Sequence, residues 1–134
     1  MHKILSIDVG EKRIGLATSD ELGIIASPFG FISRDGSVDK ISEIVLQENI
    51  GQIVVGMPYL PSGDMGSQAE DVHKYISELQ SKISVKIDTE NEILTSVEAN
   101  NRLKSMHRKI KDKGEVDAMA ATIILEGYLN RRKS

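Results

Sequence analysis

Three carboxylates stand where a fold could gather them. Asp8 closes the apolar run Ile4-Leu5-Ser6-Ile7, Glu92 lies just beyond the alternating stretch from Val85 to Glu90, and Asp117 opens a segment with helical periodicity. In open α/β sheets ligands collect beyond the carboxyl ends of parallel strands, so Asp8 and Glu92 are expected to share that edge. Two carboxylates about 4 Å apart repel by roughly 4 kcal/mol at an effective dielectric of 20. Gathering three calls for a cation. All-oxygen ligation suits Mg²⁺ or Mn²⁺, and two such ions about 3.5–4 Å apart can clamp the attacking and leaving oxygens of phosphodiester hydrolysis. The chemistry this predicts is attack on phosphorus by metal-activated water.

Each acid also has an ordinary role open to it. Asp8 can be a turn residue, Glu92 part of a polar strand exit, and Asp117 a favourable charge near a helix N-terminus, worth under about 1 kcal/mol. The three histidines, His2, His73 and His107, show no metal-ligand spacing, and the absence of cysteine removes thiolate zinc sites and cysteine nucleophiles together. Asp8-Val9-Gly10 before a hairpin also resembles the phosphate loop of actin-like ATPases, a reading disfavoured because 134 residues leave no room for a second domain to close over a nucleotide.

The elements that must position these groups follow from periodicity. Ile4 to Val9 reads as a buried strand, and Arg13 to Thr18 and Ile24 to Ser27 as two more, folded back through the turn-rich Ser19-Asp20-Glu21-Leu22-Gly23. Ser37 is expected to cap a helix carrying Val38, Ile41, Ile44 and Val45, with Gly51 as its stop. Ile53-Val54-Val55-Gly56 is a strand, and Ala69, Val72, Ile76, Leu79 and Ile83 follow helical steps. Val85, Ile87 and Thr89 alternate as a last strand. Thr95-Ser96-Val97-Glu98 fits a capping box opening a helix to about Leu103, and Val116, Met119, Ala120, Ile123, Ile124 and Tyr128 line the final helix, with Asp117 in its first turn. The order β-β-β-α-β-α-β-α implies a five-stranded mixed sheet, because each helical crossover returns a strand parallel to the one before.

Charge and composition narrow the partners. A net charge of −3 argues against binding nucleic acid by overall attraction, yet Arg102, Lys104, Arg108, Lys109, Lys111 and Lys113 face only Asp112 within their stretch, and Arg131, Arg132 and Lys133 close the chain. Such runs are also common on plain solvated surface. Lys12 and Arg13 read as phosphate-facing charges at the mouth of the site, with ordinary surface residues as the alternative. No linker or repeat divides residues 1–134, which are expected to form one domain, and neither a signal peptide nor a stretch of about 20 apolar residues stands out. A cytoplasmic protein without membrane contact is expected.

Four blocks then match a family in order. Asp8-Val9-Gly10-Glu11-Lys12-Arg13-Ile14-Gly15-Leu16-Ala17 resembles the D-x-G-x-K-R-I-G-x-A opening of YqgF/RuvX proteins. Ile53-Val54-Val55-Gly56-Met57-Pro58 with Gly63 and Gly66, Glu92 with Leu94-Thr95-Ser96-Val97-Glu98-Ala99, and Lys113-Gly114-Glu115-Val116-Asp117-Ala118-Met119-Ala120-Ala121 resemble its later blocks. The resemblance implies an α/β ribonuclease H-like fold, Asp8, Glu92 and Asp117 as metal-binding catalytic acids, and a nuclease maturing pre-16S ribosomal RNA or resolving Holliday junctions.

One block departs: Asn91-Glu92-Ile93-Leu94 stands where the family has D-E-R-L. Asn91 carries no charge, and Ile93 cannot grip a phosphate in the bidentate manner of arginine. Asp88 or Glu90 is an available substitute for the lost acid.

The reading is a metal-dependent nuclease with Asp8 bridging two Mg²⁺ or Mn²⁺ ions that Glu92 and Asp117 also hold. Lys12, Arg13, Arg108, Lys109, Lys111 and Lys113 are its phosphate contacts. Structured pre-ribosomal RNA is the favoured partner over branched DNA, and the chain is a monomer or a homodimer, the latter required for a symmetric double cut. With aromatic residues at 4%, recognition of backbone shape is favoured over stacking on bases. The rival from another class is a binding module that kept the fold and lost catalysis.

Overall fold

The computed structural model describes residues 2–92, 101–102, 104–105 and 113–132. Five strands, β1 (Lys3–Val9), β2 (Arg13–Ser19), β3 (Ala26–Ser33), β4 (Ile50–Met57) and β5 (Lys86–Asn91), form one sheet in the order β3-β2-β1-β4-β5. The two hairpin pairs are antiparallel, and β4 lies parallel to both β1 and β5. Helices α1 (Ser37–Gln47) and α2 (Ser67–Lys82) supply the crossovers, and α3 (Lys113–Arg132) follows β5.

Both faces of the central strands are apolar because both are covered, as parallel strands in α/β folds require. Leu5, Ile7, Ile14, Leu16, Ile53 and Val55 pack on one face against Ile41 of α1 and Val72, Ile76 and Leu79 of α2. Ile4, Ala17 and Val54 pack on the other against Ala121, Ile124, Leu125 and Leu129 of α3. Ser6, fully buried on that second face, donates its hydroxyl to the Ala121 carbonyl at 2.9 Å and so satisfies its one polar group.

Several expected boundaries move. Ile24 and Ile25 are exposed turn residues, not strand; their N–H groups donate to Asp20 Oδ1 at 2.7 and 3.0 Å, a side-chain cap that stops pairing until Ala26. The third strand therefore runs later, through Pro28 and Gly30, which the edge of a sheet tolerates. Gly36, with φ 74°, takes the cap position before α1, and Ser37 becomes its first residue, its hydroxyl buried against the Tyr75 hydroxyl. α1 ends before Asn49, whose φ is 54°, and Gly51 belongs to β4, where the His2 side chain lies over it. Of the helix expected from Thr95, residues 101 and 102 are helical and residues 95–100 and 103 lie outside the described residues. α3 starts at Lys113, which puts Asp117 in its second turn and not its first.

Candidate active site

Asp8 is the last residue but one of β1 and points to the α3 side, which Ile4 and Ser6 share. Its cross-strand partner on β2 is Gly15. A Cβ there would lie 2.0 Å from the Asp117 carbonyl oxygen, so the missing side chain is what lets α3 rest directly on the sheet beside Asp8. On the other flank Ile7 pairs with Val55, and the next residue along β4 is Gly56. A Cβ on Gly56 would meet Glu92 Oε1 at 2.5 Å and Ile124 Cδ1 at 2.6 Å. Glu92, one step past β5, thus folds its carboxylate back over a glycine. Two glycines, on the two strands that flank β1, open the space that brings Asp117 and Glu92 toward Asp8.

The electrostatic result is an acid out of its usual range. Burial first, then the neighbouring Glu92 and Asp117 carboxylates, push the Asp8 pKa up to about 7. Among the described residues no hydrogen bond reaches the Asp8 carboxylate. Burial also raises the pKa of Glu92. Asp117 is differently placed: Arg13 Nε donates to its Oδ2 at 2.7 Å. Arg13 is therefore a partner of the acid cluster and not the free phosphate-facing charge expected, because β2 presents it on the same face as Gly15, under the start of α3.

Asp8 and Glu92 open on a cleft of about 490 Å³, walled also by Gly10, Arg34, Asp71 and Ser67 at the start of α2. A larger hollow of about 670 Å³ lies alongside, sharing Glu11 and Arg34, but its walls hold none of the three acids and include the Lys82–Asp39 ion pair. Lys12 is exposed and lines that hollow. Lys113 opens α3, and its side chain, like Arg108, Lys109 and Lys111, lies outside the described residues. Neither alternative acid on β5 is available. Asp88 Oδ2 accepts the Tyr128 hydroxyl at 2.9 Å, and Glu90, 5% exposed, is ion-paired with Arg131.

Oxygen-only donors of this kind suit a hard divalent cation. Asp8 and Glu92 offer theirs to the cleft, whereas Asp117 is held by Arg13, and among the described residues no three acids or histidines close into a single metal cage. Three roles carried no mark in the sequence: Gly15 and Gly56 as spacers around Asp8, and Arg34, whose partner Asp71 stands 37 positions away.

The family profile described as RuvX: Holliday junction resolvase matches residues 2–131. The chain belongs to the RuvX family. A Synechocystis sp. protein named "Putative pre-16S rRNA nuclease" is 40% identical over 134 residues, covering 97% of this chain and 88% of its own. A Fusobacterium nucleatum protein of the same name is 38% identical over 138 residues, 99% of this chain and 100% of its own. Among solved structures, Thermus thermophilus RuvC in complex with Holliday junction substrate superposes with a TM-score of 0.62 at 13% identity, covering 98% of this chain and 96% of that one. That likeness is one of fold, and the RuvX-family chain has the ribonuclease H-like architecture that its sequence blocks implied.

Proposed function

We propose that this RuvX-family protein is a divalent-metal-dependent nuclease that hydrolyses phosphodiester bonds of structured nucleic acid, with processing at the 5′ end of pre-16S ribosomal RNA as its task. The observation that carries the reading is Asp8, enclosed between Gly15 and Gly56 with Glu92 and Asp117 brought to it, a concentration of negative charge of which only Asp117 has a protein cation as partner among the described residues. The names of the Synechocystis and Fusobacterium relatives support the choice of pre-16S ribosomal RNA as substrate.

Bound Mg²⁺ or Mn²⁺ would supply an activated water and charge stabilisation of the leaving oxygen. Asp8 and Glu92 would hold the ions from the cleft floor, and Asp117 would complete their coordination through the oxygen that Arg13 leaves free. Asp8 must release its proton to serve, so apparent metal affinity should strengthen as pH rises toward about 7. The start of α2 at Ser67 faces the same cleft, where its free N–H groups favour an anionic phosphate. Lys12, Lys113 and the Arg108 to Lys111 stretch would hold backbone phosphates. Among the described residues no helix is long and apolar enough to cross a membrane, and we read the protein as a single cytoplasmic domain.

One observation favours a second reading, a nucleic-acid-binding module without catalysis: Asp117 is already paired with Arg13, beside the loss of an acid at Asn91. Cleavage of a pre-16S RNA fragment, and of a four-way DNA junction, in Mg²⁺, Mn²⁺ and chelator separates the two. Metal-dependent cutting of the RNA supports the proposal, and cutting of the junction alone makes the chain a resolvase. Binding of both without cutting, and no gain on Asn91→Asp, leaves the module.

A further inference from the structure

Arg34, one residue past β3, is the only cation among the described residues that line the Asp8–Glu92 cleft. Its bonds run in two directions. Nη1 donates to the Gly10 carbonyl at 3.0 Å and to Asp71 Oδ2 at 2.8 Å, and Nη2 donates to Asp71 Oδ1 at 2.9 Å. Its backbone N–H donates to the Lys12 carbonyl at 2.9 Å, and its guanidinium lies 5.4 Å from the centre of the Tyr75 ring. The turn it grips is short and closed on itself, since the Gly10 N–H donates to the Arg13 carbonyl at 2.9 Å. At one end of that turn stands Asp8, and at the other Arg13, the partner of Asp117.

A cation in the wall of a nuclease cleft has two uses, gripping a phosphate or holding the protein. The bidentate fork on Asp71 decides between them here. It spends three of the guanidinium N–H groups together with the Gly10 contact, and it neutralises the charge a phosphate would seek. We propose that Arg34 is a positioning residue: it ties the Gly10–Arg13 turn to α2, and so fixes both the width of the cleft and the placement of Asp8 relative to the Arg13–Asp117 pair. Lysine cannot replace it fully, because one ammonium cannot make the fork and reach Gly10 together. The inference rests on the metal-dependent reading of the same cleft.

The test compares wild type, Arg34→Ala, Arg34→Lys, Asp71→Asn and Asp8→Asn, all kept well below their unfolding temperatures. Mn²⁺ affinity is read by calorimetry, kcat and KM on the pre-16S fragment, and affinity for that RNA in chelator across a salt series. Loss of a supporting contact of this kind costs about tenfold in metal affinity or activity. Arg34→Ala is expected to show such a fall in Mn²⁺ affinity and kcat, with KM and the salt slope of RNA binding unchanged. Arg34→Lys should recover part of the loss, and Asp71→Asn should move the same way by less. If Arg34→Ala does not fold, Asp71→Asn carries the comparison.

Wild-type Mn²⁺ affinity and kcat in the folded variants overturn the inference alone. So does a weaker RNA affinity with a flatter salt slope and intact kcat, which would make Arg34 a phosphate contact. A wild-type protein that binds no Mn²⁺, like Asp8→Asn, sinks the metal reading and the inference with it.

Discussion

Arg13 Nε donates to Asp117 Oδ2 at 2.7 Å, joining residues 104 positions apart in the chain, and both side chains keep about a third of their exposure, 35% and 27%. One acid of the candidate site thus has a protein cation as partner, while Asp8 has none among the described residues. Arg13→Ala should leave the three acids to repel one another. The metal-free variant is expected to lose about 1 kcal/mol, the scale of a partly exposed pair, and to gain more from added Mn²⁺ than wild type does. Thermal unfolding in chelator and in Mn²⁺ measures both; equal stability and equal metal response would deny Arg13 that compensating role.

Asp8 gives the metal-free protein a pH dependence of definite sign. Its pKa in the fold is about 7 against an ordinary value of 3.8, so between those two pH values the folded chain holds a proton that the unfolded chain has released. Stability in chelator should therefore fall as pH rises across that window, by a few kcal/mol in all, and level off above it. Asp8→Asn removes that contribution, abolishes cleavage and spares nucleic-acid binding. Denaturant unfolding at pH 5 and pH 8 tests the difference between the two proteins; identical slopes with pH would contradict it.

The two glycines beside Asp8 should fail differently when enlarged. Gly15→Ala sets a methyl against the backbone of Asp117, which cannot swing aside, and a loss of about 3 kcal/mol or more is expected. Gly56→Ala meets side-chain ends, Glu92 Oε1 and Ile124 Cδ1, which can give way. Its cost in stability should be smaller and its cost in Mn²⁺ affinity larger. Denaturation midpoints alongside metal titrations separate the two, and equal stability losses would be the contrary result.

Replacing Lys109 and Lys111 with alanine should weaken binding to RNA of any sequence and lower the salt slope by up to about two, since each phosphate contact releases counterions. Folding should be unaffected. An unchanged slope would return this stretch to plain solvated surface.

How much of this the sequence disclosed depended on burial and distance. β1 was legible because water is excluded from both its faces, leaving Ile4, Leu5 and Ile7 as an apolar run interrupted only by the small Ser6. β3 was not, because an exposed edge strand carries Ser27, Pro28 and Phe29 where periodicity looks for alternation, while the neighbouring Ile24-Ile25 imitates a strand in what is a capped turn. Asp8, Glu92 and Asp117 were candidates from element ends alone, and the helix that carries Asp117 begins a turn earlier than its apolar stripe. The pairing of Arg13 with Asp117 was not legible, since a charge at a strand start looks alike whether it faces solvent or a helix residue 104 positions on. Gly15 and Gly56 were visible as motif letters, but register is what makes them neighbours of Asp8, and register is not written locally.

The order of the elements along the chain bears on when such a protein can act. Everything in the first core is complete once β5 has formed, but Ala121, Ile124, Leu125 and Leu129, which cover Ile4, Ala17 and Val54, belong to α3 together with Asp117. During synthesis the sheet must wait with one oily face bare until that helix leaves the ribosome, a stage open to association with other unfinished chains. The same event that covers the face delivers the third carboxylate. If Asp117 serves as proposed, a nascent chain is inert until the step that makes it safe from aggregation, and a nuclease built in this order cannot cut before it is folded.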